Sequence, residues 1–241
     1  MQRNEFLERH HNGPMIRMPN AWDPGSAKIM QAAGAEAFGT TSAGIVYTQR
    51  LPDYDGALSR DECLRVVQEM TDAVTVPISV DSEDEYGDTP EDVAETFKMM
   101  IEAGAMGAPF VLTARAECFL VGYPDPLDES IRRLKLYEDA GADCLYVPGV
   151  RSREQITAVL DALTKPVNIL VGIKSFDLPL DELETMGVRR ISTGRSIICS
   201  TLGLFRSAVE GLGAGTLDYR DNMIRHDELT KLFSGTNVSG I

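Results

Sequence analysis

Histidine and cationic side chains are scarce in this chain: it has three histidines, and 23 lysines and arginines against 37 aspartates and glutamates. The formal charge of −14 repels phosphate backbones and anionic headgroups, and no local basic patch offsets it. Nucleic-acid binding and a peripheral membrane role are therefore not expected. Cysteine is sparse too. Cys63, Cys118, Cys144 and Cys199 show neither CxxC spacing nor the density of a disulfide scaffold, which argues against a cysteine zinc site and for reduced thiols in the cytosol. The N-terminal MQRNEFLERHHNGP lacks the apolar run of a signal peptide. No stretch approaches the roughly 18 uninterrupted apolar residues of a membrane span. The expected setting is the cytoplasm, with no membrane partner.

What is present is a repeating pattern. Short apolar runs that end in polar or glycine residues alternate with longer segments of helical period, as in βα units around a parallel sheet. Strands are expected at 15–20, 37–42, 77–82, 110–116, 144–149, 166–172 and 189–194. Helices are expected at 24–33, 59–73, 89–103, 126–140, 152–163, 179–186 and 196–211. Ser59, Thr89 and Ser152 each stand before acidic first-turn residues as capping hydroxyls, and Gly34, Gly104, Gly141 and Gly187 follow helical runs. No linker divides the chain. Its 241 residues suit one (β/α) barrel, which takes about 250, so residues 1–241 are read as a single barrel domain with a helical C-terminal tail.

In such a barrel the loops after the strands carry the chemistry. None of the three histidines falls there, which removes most Ser-His and Cys-His nucleophile schemes. The strand at 77–82 runs into Asp81-Ser82-Glu83-Asp84-Glu85, a crowd of carboxylates suited to Mg²⁺ or Mn²⁺, with Asp81 and Glu83 on one side by strand alternation. The same run also reads as a solvated acidic loop. The strand at 110–116 ends in Arg115, followed by Glu117; an arginine leaving a buried strand suits bidentate binding of a carboxylate or phosphate, or forms a structural pair with Glu117. Ser42, Ala43 and Gly44 are small residues whose amides can approach an anion. Gly194, before the last helix, supports a rival reading as a barrel enzyme for a phosphorylated metabolite. Lys174 is read mainly as a solvated loop lysine.

The phrases MPNAWDPGSAKIMQAAGAEAFGTTSAGI, LSRDE, VPISVDSEDEYGD, FVLTARAE, LDESIRRLKLYEDAGADCLYVPGV and MGVRRISTG, in this order, closely resemble the isocitrate lyase/phosphoenolpyruvate mutase superfamily. The resemblance runs from Pro14 to about Thr216 and implies an enzyme that cleaves or forms C–C or P–C bonds next to a 2-oxo acid. Its Mg²⁺ would stabilise a pyruvate enolate. It further implies that Asp81 is the metal carboxylate and that Glu83 reaches the metal through water. Asp53 is a further carboxylate near the metal, with Asp55 as its alternative. Ser42, Ala43 and Gly44 would hold the substrate carboxylate, and Arg115 the transferred or departing anionic group. The substrate is expected to be a small-molecule carboxylate, and the protein a homodimer or homotetramer that exchanges its C-terminal helix.

Two departures from the pattern stand out. Glu85 replaces the first glycine of the family's acidic loop. Between residues 107 and 108 the chain lacks a strand, a gating loop and a helix, at least one βα unit of about 30 residues. In lyases of the superfamily the gating segment carries a Lys-Lys-Cys-Gly-His signature, which is absent here. The fold expected is thus a (β/α)8 TIM-type barrel lacking one unit, and the rival functional class is a catalytically impaired structural homologue.

Overall fold

A computed structural model of the chain describes residues 3–53, 58–81, 111–174 and 176–234, together with residues 86, 95, 96, 98, 99 and 102. The strands are β1 (Ile16–Met18), β2 (Asn20–Ala21), β3 (Phe38–Thr40), β4 (Ile78–Ser79), β5 (Thr113–Arg115), β6 (Cys144–Tyr146), β7 (Val167–Leu170) and β8 (Arg190–Ser192). Each lies within an expected strand or at its edge. The expected run at 15–20 is one pass of chain broken at Pro19, which has no N–H to give to a ladder. Before the break β1 pairs with β8; after it β2 pairs with β3. All pairings are parallel, in the orders β1-β8-β7-β6-β5 and β2-β3-β4. Through the broken first pass they form one curved wall of seven passes among the described residues.

The wall does not close there: β4 and β5, its two ends, share no hydrogen-bonded ladder among the described residues. The residue 107–108 junction lies outside those residues, as does most of the helix expected at 89–103; Glu95, Thr96, Lys98, Met99 and Glu102 within it are helical.

The helices are α1 (Arg3–His11), α2 (Pro24–Ala32), α3 (Ser42–Thr48), α4 (Arg60–Ala73), α5 (Pro126–Asp139), α6 (Arg153–Ala162), α7 (Leu180–Met186), α8 (Ser196–Gly213) and α9 (His226–Phe233). Their starts follow local chemistry. Asp23 accepts from the Ser26 amide while Ser26 reciprocates, and Ser152 with Gln155 does the same for α6. Gly187 ends α7 at φ +102°, a left-handed conformation that only glycine adopts without strain. Two helices were not expected. The polar N-terminus forms α1, and the small residues from Ser42, read as a loop, form the first turn of α3, started by the Thr41 side chain accepting from the Gly44 amide. The tail is helical as expected, and α9 returns to pack on α2.

The core divides along the broken pass. Leu134, Leu145, Ile156, Ile169, Leu183 and Val188 fill one cluster beneath α5 to α7, and Ala21, Phe38, Ile45, Val67, Met70 and Ile78 fill another beneath α2 to α4. Fully burying each large apolar side chain contributes about 1.5–3 kcal/mol. A third, small cluster of Phe6, Ile16, Met18 and Ala37 sits where α1 covers the N-terminal ends of the strands. With that end plugged and the flanks packed, the wall can open only at the C-terminal ends of its strands.

Candidate active site

Strand alternation decides which side chains face the interior. Arg115, Tyr146, Asn168 and Arg190 are successive register partners across β5, β6, β7 and β8, so they form one row on one face. All four line a cavity of about 470 Å³, together with Asn20, Thr40, Asp81, Thr113, Glu117 and Ser192 among others. The row runs from Arg115, whose side chain is 35% exposed at the mouth, to Arg190, which is 3% exposed.

At the mouth, charges from both ends of the open wall meet. Arg115 Nη1 donates to Asp81 Oδ1 at 3.3 Å, and its Nε donates to Glu117. The guanidinium also lies 5.7 Å from the Tyr146 ring centroid, within cation–π range. Burial works against the Arg115 charge, but Asp81 and Glu117 outweigh it and raise its pKa. Asp81 is fixed by its own amide, which donates to Thr40 Oγ1 at 2.8 Å, and accepts from Ser42 Oγ at 3.4 Å. Tyr146 is pushed up to about 12, chiefly by burial, with Arg115 opposing; it stays a neutral phenol at physiological pH.

The deeper half is polar and buried. Asn168 Nδ2 donates to Ser192 Oγ at 2.9 Å, and Arg190 Nε donates to Asn168 Oδ1 at 3.0 Å. Arg190 Nη1 meets His10 Nε2 at 3.5 Å, and the other ring nitrogen of His10 pairs with the Phe6 carbonyl at 2.8 Å. Burial, reinforced by Arg190, lowers the His10 pKa to about 4, so the imidazole is neutral and its Nε2 accepts.

The structure brings Asp81, Arg115, Glu117 and Ser42 together. Arg115 shares the cavity with Asp81 and sits half-exposed at its mouth. Ala43 and Gly44 are buried in α3 and do not line the cavity. A Cβ on Gly44 would stand 2.7 Å from Trp22 Cβ, so this glycine serves close packing rather than access for an anion. Asp53 pairs with Arg195 at 3.0 Å and is not among the residues lining the cavity. Glu83 and Asp55 lie outside the described residues. Lys174 is exposed and away from the cavity. Thr193 and Gly194 give their amides to Asn20 Oδ1 at 3.0 and 2.9 Å, which occupies the donors that a phosphate would need. Sequence reasoning missed Asn20, Tyr146, Asn168, Arg190 and Ser192. Their signal was polar residues two apart, as in Arg190 and Ser192, inside otherwise apolar strands.

A parallel βα wall with facing carboxylates and an arginine at its strand ends defines a class: a barrel whose catalytic face would handle small anions. A model of the phosphoenolpyruvate phosphomutase family matches residues 6–109 and 105–212, and the chain belongs to that family. A putative lyase/mutase of Burkholderia cenocepacia J2315 has 34% identity and a TM-score of 0.91, covering 99% of this chain and 98% of its own. An oxaloacetate decarboxylase of Rhodopseudomonas palustris BisB18 is 27% identical over 253 aligned positions, 89% of this chain and 86% of that protein. An uncharacterized protein of Mycobacterium tuberculosis is 28% identical over 228 positions, 84% and 86% of the respective chains.

Proposed function

We propose that this protein is a divalent-metal-dependent lyase or mutase that acts on a small 2-oxo or 2-hydroxy carboxylate through a pyruvate enolate. The observation that carries the reading is the meeting of Asp81, Arg115 and Glu117 over a cavity at the strand ends, in a chain of this family. Relatives named for oxaloacetate decarboxylation favour cleavage beside a 2-oxo group.

The residues fit a hard cation. Asp81 offers an oxygen donor whose contacts to Arg115 and Ser42, 3.3 and 3.4 Å, are long enough to be exchanged. No group of three acids, histidines or cysteines forms among the described residues. Mg²⁺ keeps several waters and takes one or two carboxylates, of which Asp81 would be one. Asp81 would hold the ion, with Glu83 joining it as the resemblance implies. When bound, the ion supplies positive charge where the enolate oxygen develops. The chain does the rest. Arg115 binds the departing anionic group, Glu117 orients Arg115, and the Tyr146 ring lies against the guanidinium.

One observation favours the rival reading of an impaired homologue. The family model matches in two pieces that meet at residues 105–109, and the alignment to the Rhodopseudomonas enzyme is longer than this chain's 241 residues. Both support a lost unit at residues 107–108, and with it a lost gating loop that would exclude water. The experiment that separates the readings is a screen of oxaloacetate, phosphonopyruvate and methylisocitrate for pyruvate release, run beside Mg²⁺ calorimetry. Wild type should bind Mg²⁺ and release pyruvate from one of them, and Asp81→Ala should weaken Mg²⁺ binding at least tenfold. An affinity retained within about threefold, under about 1 kcal/mol, would remove Asp81 from the metal site.

We read residues 1–241 as one domain, and α8 as the surface that meets a second copy. Its Leu202, Phe205, Val209 and Leu212 are exposed, which is more contiguous apolar surface than a solitary helix face usually shows water.

A further inference from the structure

Arg190 presents an unbalanced charge. It is 3% exposed and makes no ion pair among the described residues, and its two hydrogen-bond partners there, Asn168 Oδ1 and His10 Nε2, are neutral. His10 cannot share the charge or relieve it, since it is itself 0% exposed and held neutral. The guanidinium has five N–H donors in a fixed plane, and these two bonds use two of them. Asp143, whose charge acts on His10, accepts from the Leu112 amide at 2.9 Å and makes no ion pair with Arg190 among the described residues. A buried cation bonded only to neutral partners is costly to desolvate. Arg190 nevertheless lines the cavity, with Asn168 and Ser192 beside it.

The cavity is therefore electrically two-ended. Asp81 and Glu117 exceed the single positive charge of Arg115 at the mouth, and Arg190 stands alone at the plugged end. The two arginines are three strand spacings apart in the register row, roughly 14 Å along the ladder, and both side chains point inward over that span.

We propose that Arg190 is a second anion-binding position, at the closed end of the cavity, that selects substrates with two anionic groups over those with one. It rests on the reading of the cavity as the substrate site and narrows the substrate class to diacids. One carboxylate would take the free guanidinium edge of Arg190, with Asn168 holding that side chain in plane through its Nε. The other end of the substrate would meet Arg115. A purely structural Arg190 would instead only tie α1 to β8 through His10, and ligand preference would not depend on it.

The test is calorimetry on the full chain with no metal added, using propionate as the one-carboxylate probe and malonate, succinate and glutarate as diacids of increasing length. Wild type should bind at least one diacid ten or more times tighter than propionate. Arg190→Met should shrink that advantage to threefold or less. Arg190→Lys, which keeps the charge, covers the case in which the methionine variant fails to fold: it should lower the diacid advantage several-fold. No diacid preference in wild type, or a preference that survives either variant, overturns the proposal. If wild type releases pyruvate in the screen yet shows no diacid preference, Arg190 alone falls. If none of the four acids binds and no pyruvate is released, the substrate-site reading falls with it.

Discussion

His10 turns burial into a pH dependence. Its folded pKa of about 4 lies below the ordinary 6.5 because the ring is buried, with Arg190 adding to the effect and the Phe6 carbonyl and Asp143 partly offsetting it. Below pH 6.5 the unfolded chain binds a proton that the folded chain refuses, so stability must fall as pH drops from 6.5 towards 4. By pH 5 the loss is about 2 kcal/mol. At that pH the lowered carboxylates Glu62, Glu129 and Glu138 are still ionised. Urea melts at pH 7 and pH 5 should show this difference, and His10→Gln should flatten it; an unchanged slope in the variant would assign the dependence elsewhere. Asp81 and Arg115 were legible in the sequence because charged residues directly after apolar strands have few structural reasons to be there. Arg190 was not, because it lies within a strand beside Arg189, and periodicity alone does not say which of two adjacent arginines turns inward. The structure answers through contacts: Arg189 donates to the carbonyls of His10, His11 and Gly13, while Arg190 faces the cavity.

The elements are joined less by their ladders than by one side chain at the break in the first pass. Asn20 Nδ2 donates to the Thr40 carbonyl at 2.7 Å, its Oδ1 accepts from the Thr193 and Gly194 amides, and its own amide donates to Thr193 Oγ1 at 3.1 Å. It thus ties β3 to the end of β8 across the division between the two core clusters. Gly39 is required beside it, since a Cβ there would stand 2.6 Å from Asn20 Nδ2. Asn20→Ala leaves two half-buried amides and one carbonyl unpaired, and should cost about 3 kcal/mol or more at roughly 1–3 kcal/mol per stranded group. Chemical denaturation would read it; a loss under 0.5 kcal/mol would mean that water replaces the side chain fully. At α8 the expected outcome is an oligomer by light scattering that Phe205→Glu dissociates, and a wild-type monomer would leave the exposed apolar face without that explanation.

For the whole molecule, the order and kind of nearly every expected strand were readable because each combined an apolar run with a polar stop and a capped helix after it. What was not readable was how the wall ends. Closure depends on partners far apart in sequence, and no local pattern around residue 80 or 113 says whether β4 and β5 pair. With neither ladder partner present among the described residues, backbone protection should be lowest at those ends. Hydrogen exchange should therefore show amides at 78–80, 111 and 113 exchanging at least about 100-fold faster than those of Val167–Leu170, a gap of about 2.7 kcal/mol in local opening; equal protection would require a partner on the outer sides of β4 and β5. The closing of β1 on β8 has a further consequence during synthesis. Asn20 and Thr193, which meet at that seam, are 173 residues apart. At about 5–20 residues per second, the first strand waits on the order of 10–30 s for its partner to be made. Through that interval β2, β3 and β4 can already pair while β1 offers a bare edge, so the nascent chain depends on being shielded from its neighbours on the polysome until its last strand arrives.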